Sequence, residues 1–155
     1  IAIYDASELE GLQLDRLQLV QLPLSVYDQR LICNGTVGRL QDLGIAVHVW
    51  SVLLQGLLLQ SPEHWPTHLS TAFRKHHAQW MEHLDKKGVS PLAGALGFVR
   101  DCDGVEAVLC GVLSRKELVE VVESWIHPKW PINETHEKWA WENAMVIDPR
   151  RWPTR

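Results

Sequence analysis

Leu43-Gly44-Ile45-Ala46-Val47-His48-Val49-Trp50-Ser51-Val52-Leu53 reads as the end of a helix, a tight turn and a strand in direct succession. Gly44 stands where a helix terminus needs a residue tolerant of positive φ. The run Ile45 to Trp50 has the near-continuous apolar character of a parallel strand covered on both faces. Working outward, the same unit recurs. Leu17 to Leu22 reads as a strand stopped by Pro23, and Asp28 to Leu43 as the helix that joins it to the quoted strand. Ile1 to Tyr4 reads as an earlier strand. Ser7 with Glu10 forms a capping-box pattern for a short helix that turns Leu9 and Leu12 inward. After the quoted strand, Leu53 to Pro66 is loop-like. Ser70 to Lys87 is an amphipathic helix with Phe73, His77, Trp80 and Leu84 on one face, stopped by Gly88. Ser90-Pro91 opens a helix that reaches about Asp101. Val105 to Cys110 is a fourth strand, and Ser114, with Glu117 three residues on, caps a helix that ends at Trp125.

Strands separated by helices give an α/β class with a parallel sheet, its four strands in the order 1-2-3-4 with right-handed crossovers. No internal repeat of fixed period is present. Residues 1–125 form the α/β unit and residues 126–155 a tail rich in Trp and Pro, with one helical turn near Glu137.

The 155 residues, 46% hydrophobic and 22% charged, suffice for one core. A net charge of -4 and a pI near 6.0 give no basic surface for nucleic acid. The longest apolar stretch, Ile45 to Leu59, is interrupted by His48, Ser51 and Gln55 and is too short and polar for a bilayer. No signal peptide opens the chain, so the expected compartment is cytoplasmic. Cys33, Cys102 and Cys110 lack CxxC spacing and read as small buried hydrophobes in a reducing environment. The sequons at Asn34 and Asn133 then read as chance matches. The chain opens on Ile1, inside an apparent strand, which suggests a piece of something longer.

Several patterns point to chemistry and are outweighed by simpler readings. His64 and His68 are four apart, but Pro66 lies between them and no carboxylate completes a zinc motif, so no metal site is expected. His48 alternates with Val47 and Val49 and reads as a buried, hydrogen-bonded histidine. His76 and His77 point to different sides of a helix, and only His77 can join the apolar face. There is no GxSxG elbow, P-loop or GxGxxG. Five of the eight Trp, at 125, 130, 139, 141 and 152, fall near the end of the chain. They read as aromatic area that supplements a small core.

Three segments resemble the aldo-keto reductase family, in its bacterial branch. Gln18-Leu-Val-Gln-Leu-Pro-Leu-Ser-Val-Tyr-Asp-Gln-Arg30 is similar to the sixth strand of that barrel, Leu43 to Leu57 to the seventh strand with its loop, and Gly104 to Val121 to the eighth strand with its helix. Ser90 to Phe98 fits the helix before that strand, and Ile147 to Trp152 looks like endings in that branch. The resemblance implies the C-terminal half of a (β/α)8 TIM-type barrel, with ligands at the C-terminal strand ends.

By the same resemblance, the chain contributes to an NAD(P)H-dependent enzyme that reduces small aldehydes or ketones to alcohols, with NADP(H) or NAD(H) as cofactor. The catalytic tetrad belongs to strands that no segment here matches, so no catalytic residue is expected. Tyr4 and Tyr27, the only tyrosines, lack the required context. The cofactor positions fall on Gln21 (nicotinamide carboxamide), Trp50 (ring stacking), Ser51 and Leu53 (beside the pyrophosphate), Gly111 and Val112 (loop over the adenosine phosphate), and Glu120 (near adenine). The family's Ser-Asn pair is replaced by Ala2 and Ile3, its phosphate-gripping Arg by Glu117, and the Asn beside Glu120 by Val121. Arg115 and Lys116 stand near enough to substitute for the Arg. The implied partner is the N-terminal half-barrel or a second copy, because open strand edges and an inner face (Val20, Val47, Val49 and Val108, or their alternates) need covering. The alternative is a non-catalytic half-barrel acting as a structural or self-association module.

Overall fold

The computed structural model describes residues 1–126 and 136–152. A parallel sheet of β1 (Leu19–Pro23), β2 (Ala46–Trp50) and β3 (Ala107–Val108) runs in the order β1-β2-β3. The segment expected as a further strand at Ile1 to Tyr4 forms a single parallel bridge, Ala2 to Gln21, on the outer edge of β1. Two hydrogen bonds hold it, Ile3 N to Gln21 O and Gln21 N to Ile1 O. Asp5 then turns the chain, accepting from Ser7 N while Glu8 reaches back to its backbone. The capping box is therefore at Asp5 and Glu8, not Ser7 and Glu10. That shift buries Leu9 and leaves Leu12 exposed. The strand expected over Val105 to Cys110 pairs only through Ala107 and Val108. The parallel pairing and the strand order agree with the sequence reading.

Register explains which face carries what. Gln21 lies opposite His48, and His48 opposite Ala107; Leu22 lies opposite Val49, and Val49 opposite Val108. Registered neighbours in a parallel pair share a face. Val20, Leu22, Val47 and Val49 are fully buried against helices, whereas Leu19, Gln21, Ala46, His48 and Trp50 are half-buried. The inner face is thus made of the alternates, and His48 belongs to it rather than to the core.

The helix expected over Asp28 to Leu43 is two, α1 (Arg30–Cys33) and α2 (Thr36–Asp42). Asn34-Gly35 breaks it: Gly35 sits at φ 78° and Asn34 Oδ1 accepts from Thr36 N. Gly44 ends α2 at φ 69°, as its position implied. α3 (Thr71–Lys86) and α4 (Pro91–Arg100) start on Ser70 and Ser90, whose hydroxyls accept from Phe73 N and Ala93 N. α4 is buried all round from Ala93 to Val99, because it is wedged between α3, the turns at 54–59 and α5 (Arg115–Ile126). Gly104 has no substitute: at φ 82°, an added Cβ would meet Gln41 Oε1 and Val37 Cγ1 at 3.0 Å.

The expected loop from Leu53 to Pro66 is built of two 3-10 turns, Leu54–Leu59 and Pro62–His64. One side chain organises it. The Arg74 guanidinium donates to the carbonyls of Pro62, Trp65, Pro66 and Leu69. The tail binds the opposite flank: Trp141 N donates to Tyr27 O, His76 Nε2 donates to Trp139 O, and α6 (Ala144–Ile147) buries Val146 and Ile147. Asn133 and Trp130 lie outside the described residues. Cys33 is exposed and Cys102 and Cys110 half-buried, so the thiols are less buried than their composition suggested. No helix among the described residues is long and apolar enough to cross a membrane.

Candidate functional site

The middle of β1 and the C-terminal end of β2 carry the residues of interest. Gln21 and Trp50 project from the same face of neighbouring strands, offset by two positions along them. Strand geometry puts their Cα atoms about 8 Å apart. Leu24 N donates to Trp50 O, which ties the exit of β1 to the end of β2. Immediately after Trp50 the backbone enters the left-handed region at Ser51 (φ 59°), and again at Leu54, Gln55 and Gly56 (φ 46°, 55° and 82°). Three of those residues are not glycine, so this turn is held at a cost in backbone strain.

A depression of about 330 Å³ opens there, lined by Trp50, Ser51, Leu53, Gln55, Cys110 and Gly111 among others. It brings Trp50, Ser51, Leu53 and Gly111 together from two loops, with Val112 next to Gly111 in the chain. Arg115 is the exposed first residue of α5. Glu120 is elsewhere: it pairs with Lys116 at 3.7 Å and lines a hollow of about 570 Å³ between α4 and α5 with Gly88, Ser90 and Glu123. Glu117 is occupied structurally, since its carboxylate accepts from Leu113 N at 2.8 Å and so caps α5.

The sequence missed Tyr4 and Arg150. The Tyr4 ring meets Trp50 at 4.6 Å, nearly perpendicular, and the Arg150 guanidinium lies 3.3 Å from the Tyr4 centroid. Asp148, 3% exposed, binds Arg150 through two bonds at 2.9 and 2.7 Å. The Arg150 side chain, followed by its backbone N–H, holds this carboxyl below its usual range. Only the motif Ile147-Asp-Pro-Arg-Arg-Trp152 hinted at the arrangement.

Tyr27 is no proton donor for substrate. It is fully buried and bonded at 2.7 Å to His77 Nδ1, while His77 Nε2 faces Gln60 O at 2.9 Å. A carbonyl only accepts, so Nε2 carries the proton and Nδ1 accepts from Tyr27. Burial raises Tyr27 well above its ordinary value and lowers His77 to about 4. Burial also raises Cys102 to about 12 and Cys110 above its ordinary value, which makes both poor nucleophiles. His64 and His68 are exposed, and the His68 ring lies 5.9 Å from Trp152.

No protein-family model matches the chain, and no curated protein matches it. Solved structures do. The chain is similar to an aldo-keto reductase from Bacillus halodurans in its apo form, with a TM-score of 0.74 at 19% identity, over 98% of this chain and 53% of that one. The holo form of the same enzyme gives 0.71 at 19% identity, over 98% and 52%. The fold is therefore that of about half an aldo-keto reductase barrel, and the chain spans about half the length of those proteins.

Proposed function

We propose that this chain supplies the cofactor-side half of an NAD(P)H-dependent carbonyl reductase barrel. The observation that carries the proposal is the placement of Trp50 at the C-terminal end of β2, where such barrels bind ligands, with Gln21 on the same face of β1 two positions back from that rim. The residues present suit a nicotinamide dinucleotide. Trp50 Nε1 is a buried donor with no acceptor among the described residues, as expected of a group that awaits a ligand oxygen or water. A Cβ at Gly111 would meet nothing within 4 Å, so the loop opposite is open.

The bound dinucleotide supplies a hydride to the carbonyl carbon. Gln21 offers an amide that both donates to and accepts from a carboxamide. Trp50 offers an aromatic face. The left-handed turn at Ser51 borders the depression beside the indole. The start of α5, with Arg115 exposed and its N-terminal dipole, attracts phosphate. Glu117 opposes a further phosphate there, which favours NAD(H) over NADP(H). In this reading the general acid comes from outside this chain, on the barrel strands that no segment here matches: Tyr27 is buried and proton-locked, and the Tyr4 ring is engaged between Trp50 and Arg150.

Saturation-transfer NMR with NADH and NADPH tests the reading. Nicotinamide protons should receive saturation from the wild-type chain and lose it in Gln21→Leu and Trp50→Leu. Equal transfer in all three proteins would overturn the proposal. The chain alone should consume neither NADH nor NADPH with a panel of aldehydes. Turnover abolished by a substitution within it would contradict the division of labour.

One feature favours the self-association reading as a second role. The outer face of α5 exposes Leu118, Val119, Val122 and Ile126, beside Leu109 and Leu113 and the open edge of β3. Exposed apolar residues on one helix and an open strand edge call for a covering surface, either the other half-barrel or a second copy.

A further inference from the structure

We propose that Tyr4 and Arg150 are positioning residues for Trp50: the tail guanidinium fixes the Tyr4 ring, and Tyr4 fixes the plane of the indole. The proposal rests on the nicotinamide reading of Trp50. A stacking platform works only if its plane is set before the ligand arrives, because ordering it afterwards weakens binding. Trp50 stands half-buried at the end of β2, where strand pairing fixes its backbone but not its ring.

Tyr4 supplies that restraint. Its ring meets Trp50 at 4.6 Å with an interplanar angle of 85°. A perpendicular neighbour sets the tilt of the indole and covers at most one of its two faces. Tyr4 is itself only half-buried and follows the single bridge at Ala2, so it needs a support. Arg150 provides one, stacked 3.3 Å from the ring centroid. The guanidinium is aimed by Asp148, which takes both its Nε and Nη2 and also accepts from Arg150 N at 3.1 Å. Asp148 sits in a self-bonded segment: Trp152 Nε1 donates to Val146 O, and Val146 and Ile147 are buried. The order of dependence runs from a buried tail anchor through Arg150 and Tyr4 to Trp50.

The test uses the full chain and four variants: Tyr4→Phe, Tyr4→Leu, Arg150→Lys and Arg150→Met. The near-ultraviolet circular dichroism difference between wild type and Trp50→Phe isolates the Trp50 band without ligand. Binding of NADH is followed by nicotinamide saturation transfer. Tyr4→Phe keeps the ring and should keep both signals. Tyr4→Leu and Arg150→Met should at least halve the Trp50 band and weaken NADH binding about threefold to tenfold, the worth of one aromatic or cation–π contact. Arg150→Lys keeps the charge, loses the planar fork and should fall between. Arg150→Met leaves the buried Asp148 carboxylate without its main partner and should lower the urea midpoint, so band and affinity are read without urea, where an unchanged far-ultraviolet spectrum shows the fold retained and separates positioning from loss of fold. Wild-type band and wild-type affinity in both Tyr4→Leu and Arg150→Met would overturn the positioning role and leave the nicotinamide reading intact. NADH binding that ignores Trp50→Phe and Trp50→Leu would overturn the nicotinamide reading, and with it the purpose of the stack.

Discussion

Acidifying the protein from pH 7 to pH 4.5 should cost it about 2.5 kcal/mol of stability through His77 alone. The imidazole is fully buried, and burial lowers its value from 6.5 to about 4, partly offset by the bond to Gln60 O and reinforced by neighbouring His76. Between those two values the unfolded chain binds a proton that the folded chain refuses. Stability from His77 is therefore complete above pH 6.5, falls as pH drops through the window, and levels off below pH 4. The whole shift corresponds to about 3 kcal/mol, of which most is expressed by pH 4.5. Carboxylates titrate in the same range, so the measurement must be differential. Urea unfolding of wild type and His77→Gln at both pH values isolates the histidine, since glutamine can keep both hydrogen bonds without titrating. The wild type should lose about 2.5 kcal/mol more than the variant between the two conditions. Equal losses would refute the reasoning, because His77 would then protonate in the folded protein without penalty.

Tyr27→Phe should cost about 1–3 kcal/mol in the same assay at pH 7, because it leaves buried His77 Nδ1 without a donor. Arg74→Met should speed amide exchange and proteolytic cutting within residues 54–69 at least tenfold while α4 keeps its protection. Asp148→Asn should destabilise by about 1–3 kcal/mol at pH 7 and by less near pH 3, since the lowered carboxyl stabilises only when ionised. Light scattering of the wild-type chain should exceed 17.7 kDa at micromolar concentration, and Val122→Glu should bring it down to that mass.

Helix starts were legible because their cue is local: Ser70 and Ser90 each bond an amide three residues on, and nothing distant competes. The parallel order was legible from apolar runs alone. At the first turn, two residues two positions apart, Asp5 and Ser7, could serve as cap, and Asp5 won through its bond to both Ser7 groups. His48 was misread because alternation fixes which residues share a face but not which face meets the helices. Trp50 was readable as a strand end, whereas Gln21, expected beside it at the rim, lies mid-strand because β1 runs on to Pro23. Tyr4 and Arg150 were not readable, since their contact joins residues near opposite ends of the chain, and no periodicity encodes such a meeting. Glu117 shows the converse: its capping role was in the local pattern all along.

The Arg74 clamp has a bearing on how such a rim can change over generations. A single guanidinium grips the loop through carbonyl oxygens, which every amino acid carries. The loop's shape is therefore insured against drift in its exposed side chains. The exposed residues Glu63, His64, Thr67 and His68 can be exchanged to suit a new ligand while the scaffold stays put, provided the arginine in the adjacent helix and the buried Trp65 and Leu69 are kept. Innovation at the rim and preservation of its frame are thus assigned to different stretches of the chain.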